Sequence, residues 1–183
     1  MRFFEEASGP LAVAAATEAL RHSGVEARRV THLVTVTCSG FSAPGFDRSL
    51  IEQLPLQATV ARTQVGFMGC HAALNALRVA RAFVAADPQA VVLVRCVELC
   101  SLHFQYGWDP EQIVANALFA DGAAACVVQA ADAPRGGSGS PYRVLASGSV
   151  VLPESRDAMT WRMGDHGFRM TLSSGVQIGR AHV

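Results

Sequence analysis

The sequence predicts an α/β fold with a buried sheet, and three observations carry that reading. β-Branched and apolar runs at 31–38, 60–65 and 90–99 alternate with segments of helical period. The run at 90–99 is almost continuously apolar, as a strand covered on both faces must be. The run at 60–65 ends in Gly66-Phe67-Met68-Gly69-Cys70-His71 and passes directly into a helical segment, a strand–turn–helix unit with a cysteine at its elbow.

Taken in order, Ser8 can cap a first helix with Pro10 in its first turn. Leu11, Ala14, Ala15 and Leu20 then recur at helical spacing until Gly24 stops it. The strand at 31–38 opens into a Gly/Pro loop at 39–45, and residues 47–54 form a short helix. After the strand at 60–65, a helix at 72–85 is expected to set Ala73, Leu74, Leu77, Ala80 and Val84 on one apolar face. Asp109-Pro110-Glu111-Gln112 is a helix start with a cap, a proline at the first position and an acidic first turn. That helix ends at Phe119-Ala120, and Asp121-Gly122 turns the chain into a small-residue strand at 123–128. Strands are also expected at 142–151, 158–163 and 168–173.

The organisation that follows is a first domain at 1–132, a Pro/Gly/Ser linker at 133–141 and the start of a second domain at 142–177. Residues 178–183 break the pattern and read as translated adapter sequence, a non-native tail left out of the functional reading. Both ends suggest a fragment of a longer protein.

Half of the 183 residues are hydrophobic, enough for a sizeable core, and the formal net charge of zero leaves no electrostatic footprint for nucleic acid or an anionic membrane. The apolar runs are too short to span a bilayer. Five cysteines without framework spacing or a signal peptide read as reduced thiols of a cytoplasmic protein. Cys96, Cys100 and His103 have no fourth ligand nearby, so no metal site is expected.

Cys70 is the candidate nucleophile. At a helix N-terminus, unpaired N–H groups and the macrodipole favour a thiolate, and Met68 and Gly69 leave the approach uncharged for an apolar acyl group. Adjacent side chains diverge at a helix start, so His71 is not its base.

The order of these pieces resembles the bacterial type III polyketide synthases, the chalcone synthase-like branch of the thiolase fold. The resemblance rests on residues 31–40, Ala43-Pro44-Gly45-Phe46-Asp47, residues 66–70, Val97-Glu98-Leu99, residues 117–125 and Gly164-Asp165-His166-Gly167-Phe168. It implies a thiolase-like α/β fold of αβαβα layers, present as most of the N-terminal half and the start of the C-terminal half. It further implies that Cys70 attacks a starter acyl-CoA and that malonyl-CoA is decarboxylated to an enolate, which condenses with the bound acyl group before the chain cyclises. The family's partner histidine and asparagine belong to its C-terminal half and are not matched here.

By the same resemblance Phe119 and Phe168 match the gate between the CoA tunnel and the cavity, while Cys38, Cys100, His103, Met159 and His166 match cavity-lining positions that set chain length and ring pattern. Family members form homodimers and project a residue into the partner's cavity; Ala43 occupies that position and is short. No cofactor is implied beyond the substrates acyl-CoA and malonyl-CoA. Two alternatives stand beside this: a β-ketoacyl-carrier-protein synthase III-like condensing enzyme, and a catalytically inert truncated product.

Overall fold

Strand β1 (His32–Thr37) lies between β2 (Ala61–Gly66) and β3 (Val92–Leu99), parallel to both, and β4 (Asp121–Val128) continues the sheet beyond β3. The register sets Val36 opposite Val65 and Cys96, and Thr37 opposite Gly66, so β1 and β2 end side by side. Parallel neighbours need crossovers, which α2 (Asp47–Gln53) and α3 (Ala72–Ala86) supply. These features come from a computed structural model that describes residues 1–134, 136–139, 141–165, 167–173 and 176.

The core divides between the two faces of the sheet. On one, Ala72, Ala76 and Ala80 of α3 pack on Val34, Val36, Val92 and Val94. Small residues four apart let the helix approach the strands closely. Val79, Phe83 and Val84 flank that stripe, whereas Leu74, expected on the apolar face, is 64% exposed. A single 3-10 turn at Gly69–His71 precedes the helix, and the buried face starts at Ala72.

On the other face Arg95 of β3 lies over Phe46, which leads into α2, and α1 (Arg2–Ser23) packs on α2. Helix α1 begins six residues before its expected cap: Ser8 is fully buried and Pro10 lies inside the helix. The early start follows from Phe4, which is buried and meets Phe46 edge-on at 6.5 Å. Burying that ring is worth about 1.5–3 kcal/mol, which offsets the single helical hydrogen bond that Pro10 cannot donate. Gly24 ends the helix at φ 68°, and a Cβ there would lie 2.3 Å from the carbonyl carbon of Gly136. The stretch expected as a linker is thus tied to the end of α1, and Gly139 N–H donates to His22 O.

The chain forms two units that interleave rather than follow one another: Met1–Glu98 with Gly122–Ser147, and Leu99–Asp121 with Gly148–Val183. The linear division at 132 and 142 does not mark their boundary. In the second unit, α4 (Pro110–Leu118) packs on an antiparallel hairpin of β5 (Met159–Gly164) and β6 (Gly167–Leu172). Asp109 caps α4, its carboxylate accepting from the N–H groups of Glu111 and Gln112, as the sequence predicts. The strand expected at 142–151 does not form. Tyr142 and Val151 are 99% and 89% exposed, and β propensity without a pairing strand leaves that stretch irregular. The tail at 178–183 lies outside the described residues. Among the described residues no helix is long and apolar enough to cross a membrane.

Candidate active site

The carboxyl ends of β1, β2 and β3 are where the first unit gathers its chemistry. In a parallel sheet whose strand order reverses, here β2-β1-β3, the crevice beyond those ends is the natural binding position. Strand β2 runs into Phe67, which holds φ 54°, and Gly69, which holds φ 66°. Positive φ is strained for phenylalanine and natural for glycine, so the turn stores strain one residue after the strand and relieves it just before Cys70. Cys70 is exposed where that turn enters α3.

Strand β1 delivers Cys38, and Glu98 near the end of β3 fixes it. The Glu98 carboxylate accepts from Cys38 N–H at 2.8 Å and 3.0 Å and from Ser39 N–H at 2.9 Å, and Thr37 Oγ1 donates to it at 3.4 Å. Bonds of this kind to a charged acceptor are about twice as strong as neutral ones. The Cys38 thiol donates to the Gly69 carbonyl at 3.7 Å, so a continuous chain of contacts runs from Glu98 through Cys38 to the peptide that enters Cys70. Sequence reasoning did not single out Glu98. Its signal was the one carboxylate in a strand that is apolar but for it and Arg95, since burying a carboxylate is costly unless it is hydrogen-bonded.

Burial and the Glu98 charge push the Cys38 thiol up, partly opposed by the N–H groups of Gly69, Met68 and Phe67. Burial pushes Cys96 up to about 11, with the neighbouring Cys126 adding to it. Packing around its sulfur pushes Cys126 up as well, although the residue keeps exposed surface. Each of these shifts disfavours the thiolate.

The second unit holds a cavity of about 300 Å³. Cys100 and His103 line it from a single 3-10 turn, Phe119 from the end of α4, and Trp161 and Met170 from the hairpin. In a 3-10 turn residues three apart eclipse, which is why Cys100 and His103 reach the same space. His103 is buried, with its ring 4.6 Å from Phe168 and 5.2 Å from Trp161. Its Nδ1 accepts from Phe168 N–H at 3.1 Å, which assigns the proton of the neutral ring to Nε2.

The other expected residues fall differently. Phe168 is 3% exposed, packed against His103 and Trp161, and is a core residue of this unit rather than part of the cavity wall. The pairing of Gly164 with Gly167 at the end of the hairpin places it beside the imidazole, with Gln105 Nε2 donating to its carbonyl. Met159 is 39% exposed at the far end of β5 and does not line the cavity either. His166 lies outside the described residues. The polar side of the cavity is set by groups the sequence did not mark as site residues: Asp121, read there as a turn, which accepts from Ser101 N–H and Oγ–H at 2.8 Å and 2.6 Å, and Asn116, which donates to Gln105 O at 2.7 Å. Among the described residues no cluster of three metal-ligating side chains occurs.

Residues 3–132 match the domain described as chalcone and stilbene synthases, N-terminal domain. The chain belongs to the chalcone and stilbene synthase family. It is 35% identical over 176 residues to the alpha-pyrone synthesis polyketide synthase-like Pks18 of Mycobacterium tuberculosis, covering 96% of this chain and 45% of that protein. It is 33% identical over 174 residues to a 1,3,6,8-tetrahydroxynaphthalene synthase of Streptomyces peucetius, covering 94% and 46%. Among solved structures, the C-terminal type III polyketide synthase domain of Steely1 from Dictyostelium superposes with a TM-score of 0.85 at 32% identity, covering 97% of this chain and 48% of that one. The architecture is therefore that of the type III polyketide synthases, thiolase-like and α/β, and the family relation favours this branch over a carrier-protein-dependent synthase. The chain spans about half the length of these family members.

Proposed function

We propose that this chain is the nucleophile-bearing half of a type III polyketide synthase and that Cys70 is its acyl-carrying thiol. The observation that carries the reading is the exposed Cys70 at the elbow between β2 and α3, beside a Cys38 loop held by Glu98. In the proposed reaction the Cys70 thiolate attacks the thioester carbonyl of a starter acyl-CoA, and the CoA thiol leaves. Malonyl-CoA then loses carbon dioxide, its enolate carbon attacks the Cys70 thioester, and the thiolate departs. Rounds of this lead to a poly-β-keto chain that cyclises. By the resemblance, Phe119, Cys100 and His103 of the second unit's cavity are proposed as substrate-binding residues, with His103 a neutral Nε2–H donor. No cofactor is proposed beyond these substrates, and the setting proposed is a cytoplasmic homodimer.

The family's acid–base histidine and asparagine belong to the half of its members that this chain does not match. Losing a positioned acid–base group costs about 10²–10⁴ in rate, and losing an oxyanion donor about 10²–10³. The 183-residue chain alone is therefore proposed to accept an acyl group slowly and to release no CoA from malonyl-CoA at a useful rate. The test is incubation with a medium-chain acyl-CoA and peptide mapping by mass spectrometry. An acyl adduct on Cys70 supports the reading; an adduct on another cysteine, with Cys70 unmodified, overturns it.

A further inference from the structure

We propose that Cys38 and Cys70 form a reversible disulfide under peroxide, covering the exposed thiol in a form that a reductant reopens. The disulfide stands on the geometry of the first unit alone; that it guards a catalytic nucleophile rests on the reading of Cys70 given above.

Three observations bring the two sulfurs together. The register of β1 and β2 sets Thr37 opposite Gly66, so both strands end at one level. From there Cys38 directs its thiol onto the Gly69 carbonyl at 3.7 Å, and that carbonyl belongs to the peptide bond leading into Cys70. Planar trans-peptide geometry then puts the Cys38 sulfur within roughly 6–7 Å of the Cys70 Cα, a span that side-chain rotation on both residues can close. The third is anchorage. Glu98 clamps the Cys38 and Ser39 amides, so the Cys38 side is held in place while Cys70 stands exposed on a turn.

Exposure decides the order of the steps. The Cys70 thiolate sulfur attacks one oxygen of hydrogen peroxide, the O–O bond breaks, and hydroxide leaves to become water; Cys70 is now a sulfenic acid. The Cys38 sulfur gives up its proton and attacks the Cys70 sulfur, the S–OH bond breaks, and the hydroxide takes that proton as a second water. Two thiols have lost two electrons and peroxide has gained them. Without a neighbouring thiol the sulfenic acid would proceed to sulfinic acid, which thiols do not reverse. Cys96 and Cys126 neighbour one another instead and form the competing pair.

The experiment treats the native 183-residue chain with a small excess of hydrogen peroxide, blocks remaining thiols and maps the unreduced digest by mass spectrometry. A Cys38–Cys70 linked peptide is expected, with two of the five thiols lost and recovered by dithiothreitol. The link should fail to predominate when the same oxidation is run in denaturing urea. In Cys38→Ser, a sulfenic acid trapped by dimedone on Cys70 should replace the link and pass to sulfinic acid. The wild-type native and denatured arms decide the matter even if that variant misfolds. Sulfinic acid on Cys70 in the native wild type without the link, or a link confined to Cys96 and Cys126, overturns the proposal. Acyl loading is measured in parallel. A link that forms in a chain whose reduced Cys70 takes no acyl group leaves the disulfide standing and removes the catalytic reading alone.

Discussion

In the first unit Cys38, Cys70 and Glu98 reach the candidate site because three adjacent parallel strands end there, and the Glu98 side chain then clamps backbone amides at the end of β1. In the second unit the cavity is assembled from a 3-10 turn, a helix and a hairpin, and it is held by side chains. His103 meets Phe168 across 65 positions of sequence, Gln105 meets it across 63, and Asn116 returns to Gln105. A site delivered by strand ends keeps its strand positions when the Cys70 side chain is removed, because the ladder still sets them. A cavity built from long-range side-chain contacts depends on each of them. The two regions should therefore respond to mutation in opposite ways.

The sharpest test of that difference is Cys70→Ala. The thiol is exposed, so its loss should leave the unfolding midpoint within experimental scatter while acyl transfer from acyl-CoA falls by at least about a thousandfold. Thermal melts and intact-mass analysis read the two effects separately. A large drop in the midpoint would mean that Cys70 is a packing residue. In the second unit the pattern reverses with Phe168→Ala, which should cost about 3–5 kcal/mol because the ring is buried between His103 and Trp161. Phe119, half-buried on the cavity wall, should cost about 1–2 kcal/mol when cut to alanine, with the larger effect falling on what the cavity binds. Both tryptophans, Trp108 and Trp161, belong to this unit, so fluorescence-detected urea unfolding follows it alone. Equal losses for the two phenylalanines would erase the distinction between core and wall.

What the sequence made legible follows the same division. The β-branched runs, the Gly-Cys elbow and the Asp109-Pro110 helix start act over a few residues, and each appears within one or two residues of its predicted place. The first helix was misplaced at its start because Phe4 buries itself against Phe46, a contact between residues 42 apart that no local pattern records. The apolar face of α3 was drawn through Leu74, whereas alanines at 72, 76 and 80 carry the packing; close approach to a sheet selects small residues that a hydrophobicity count underrates. The resemblance put Cys100 and His103 on a cavity wall and Phe119 at its gate; the structure sets all three around one cavity, and the 3-10 turn explains how the first two reach it. Phe168 could not be told from a wall residue by sequence, since its burial depends on His103 lying over it.

Away from both sites, Arg95 lies on the face of β3 opposite the valine core and is fully buried. Its guanidinium sits 5.0 Å over the Phe46 ring, and among the described residues none of its three nitrogens has a hydrogen-bond partner. Burial pushes it down to about 9, well below the ordinary guanidinium value. The folded state thus binds its proton less tightly than the unfolded state. The sign is that stability carries the full cost of the buried charge below about pH 9 and regains it as pH rises from there toward the ordinary guanidinium range. Arg95→Met, which keeps the volume and drops the charge, should raise stability by about 1–4 kcal/mol at pH 7, with a smaller gain at pH 10. Urea melts of both proteins at the two pH values measure it. A loss of stability at pH 7 would show that the guanidinium is satisfied by groups such as bound water, and that the first unit relies on a buried charge as well as on its strands.

The smallest expected effect is local to the second unit. Asp109 satisfies two of the orphan N–H groups at the start of α4, accepting from Glu111 at 2.9 Å and from Gln112 at 3.2 Å. Replacing it with alanine should cost about 1 kcal/mol, since Pro110 still presets the first turn and only the side-chain acceptor is lost. Helix α4 carries Gln112, Ala115 and Asn116 on the cavity wall, so fraying of its first turn should reach the cavity first through Gln112, whose amide donates to Asn116 Oδ1 at 3.0 Å. Asp109→Asn should recover most of the loss, because asparagine caps nearly as well without the charge. The measurement is hydrogen exchange at Glu111, Gln112 and Ile113 alongside the tryptophan-detected melt. Faster exchange confined to that turn, with acyl loading at Cys70 unchanged, would show that the two units can be perturbed one at a time. A matching fall in Cys70 loading would show instead that the strand-end site depends on the cavity's helix.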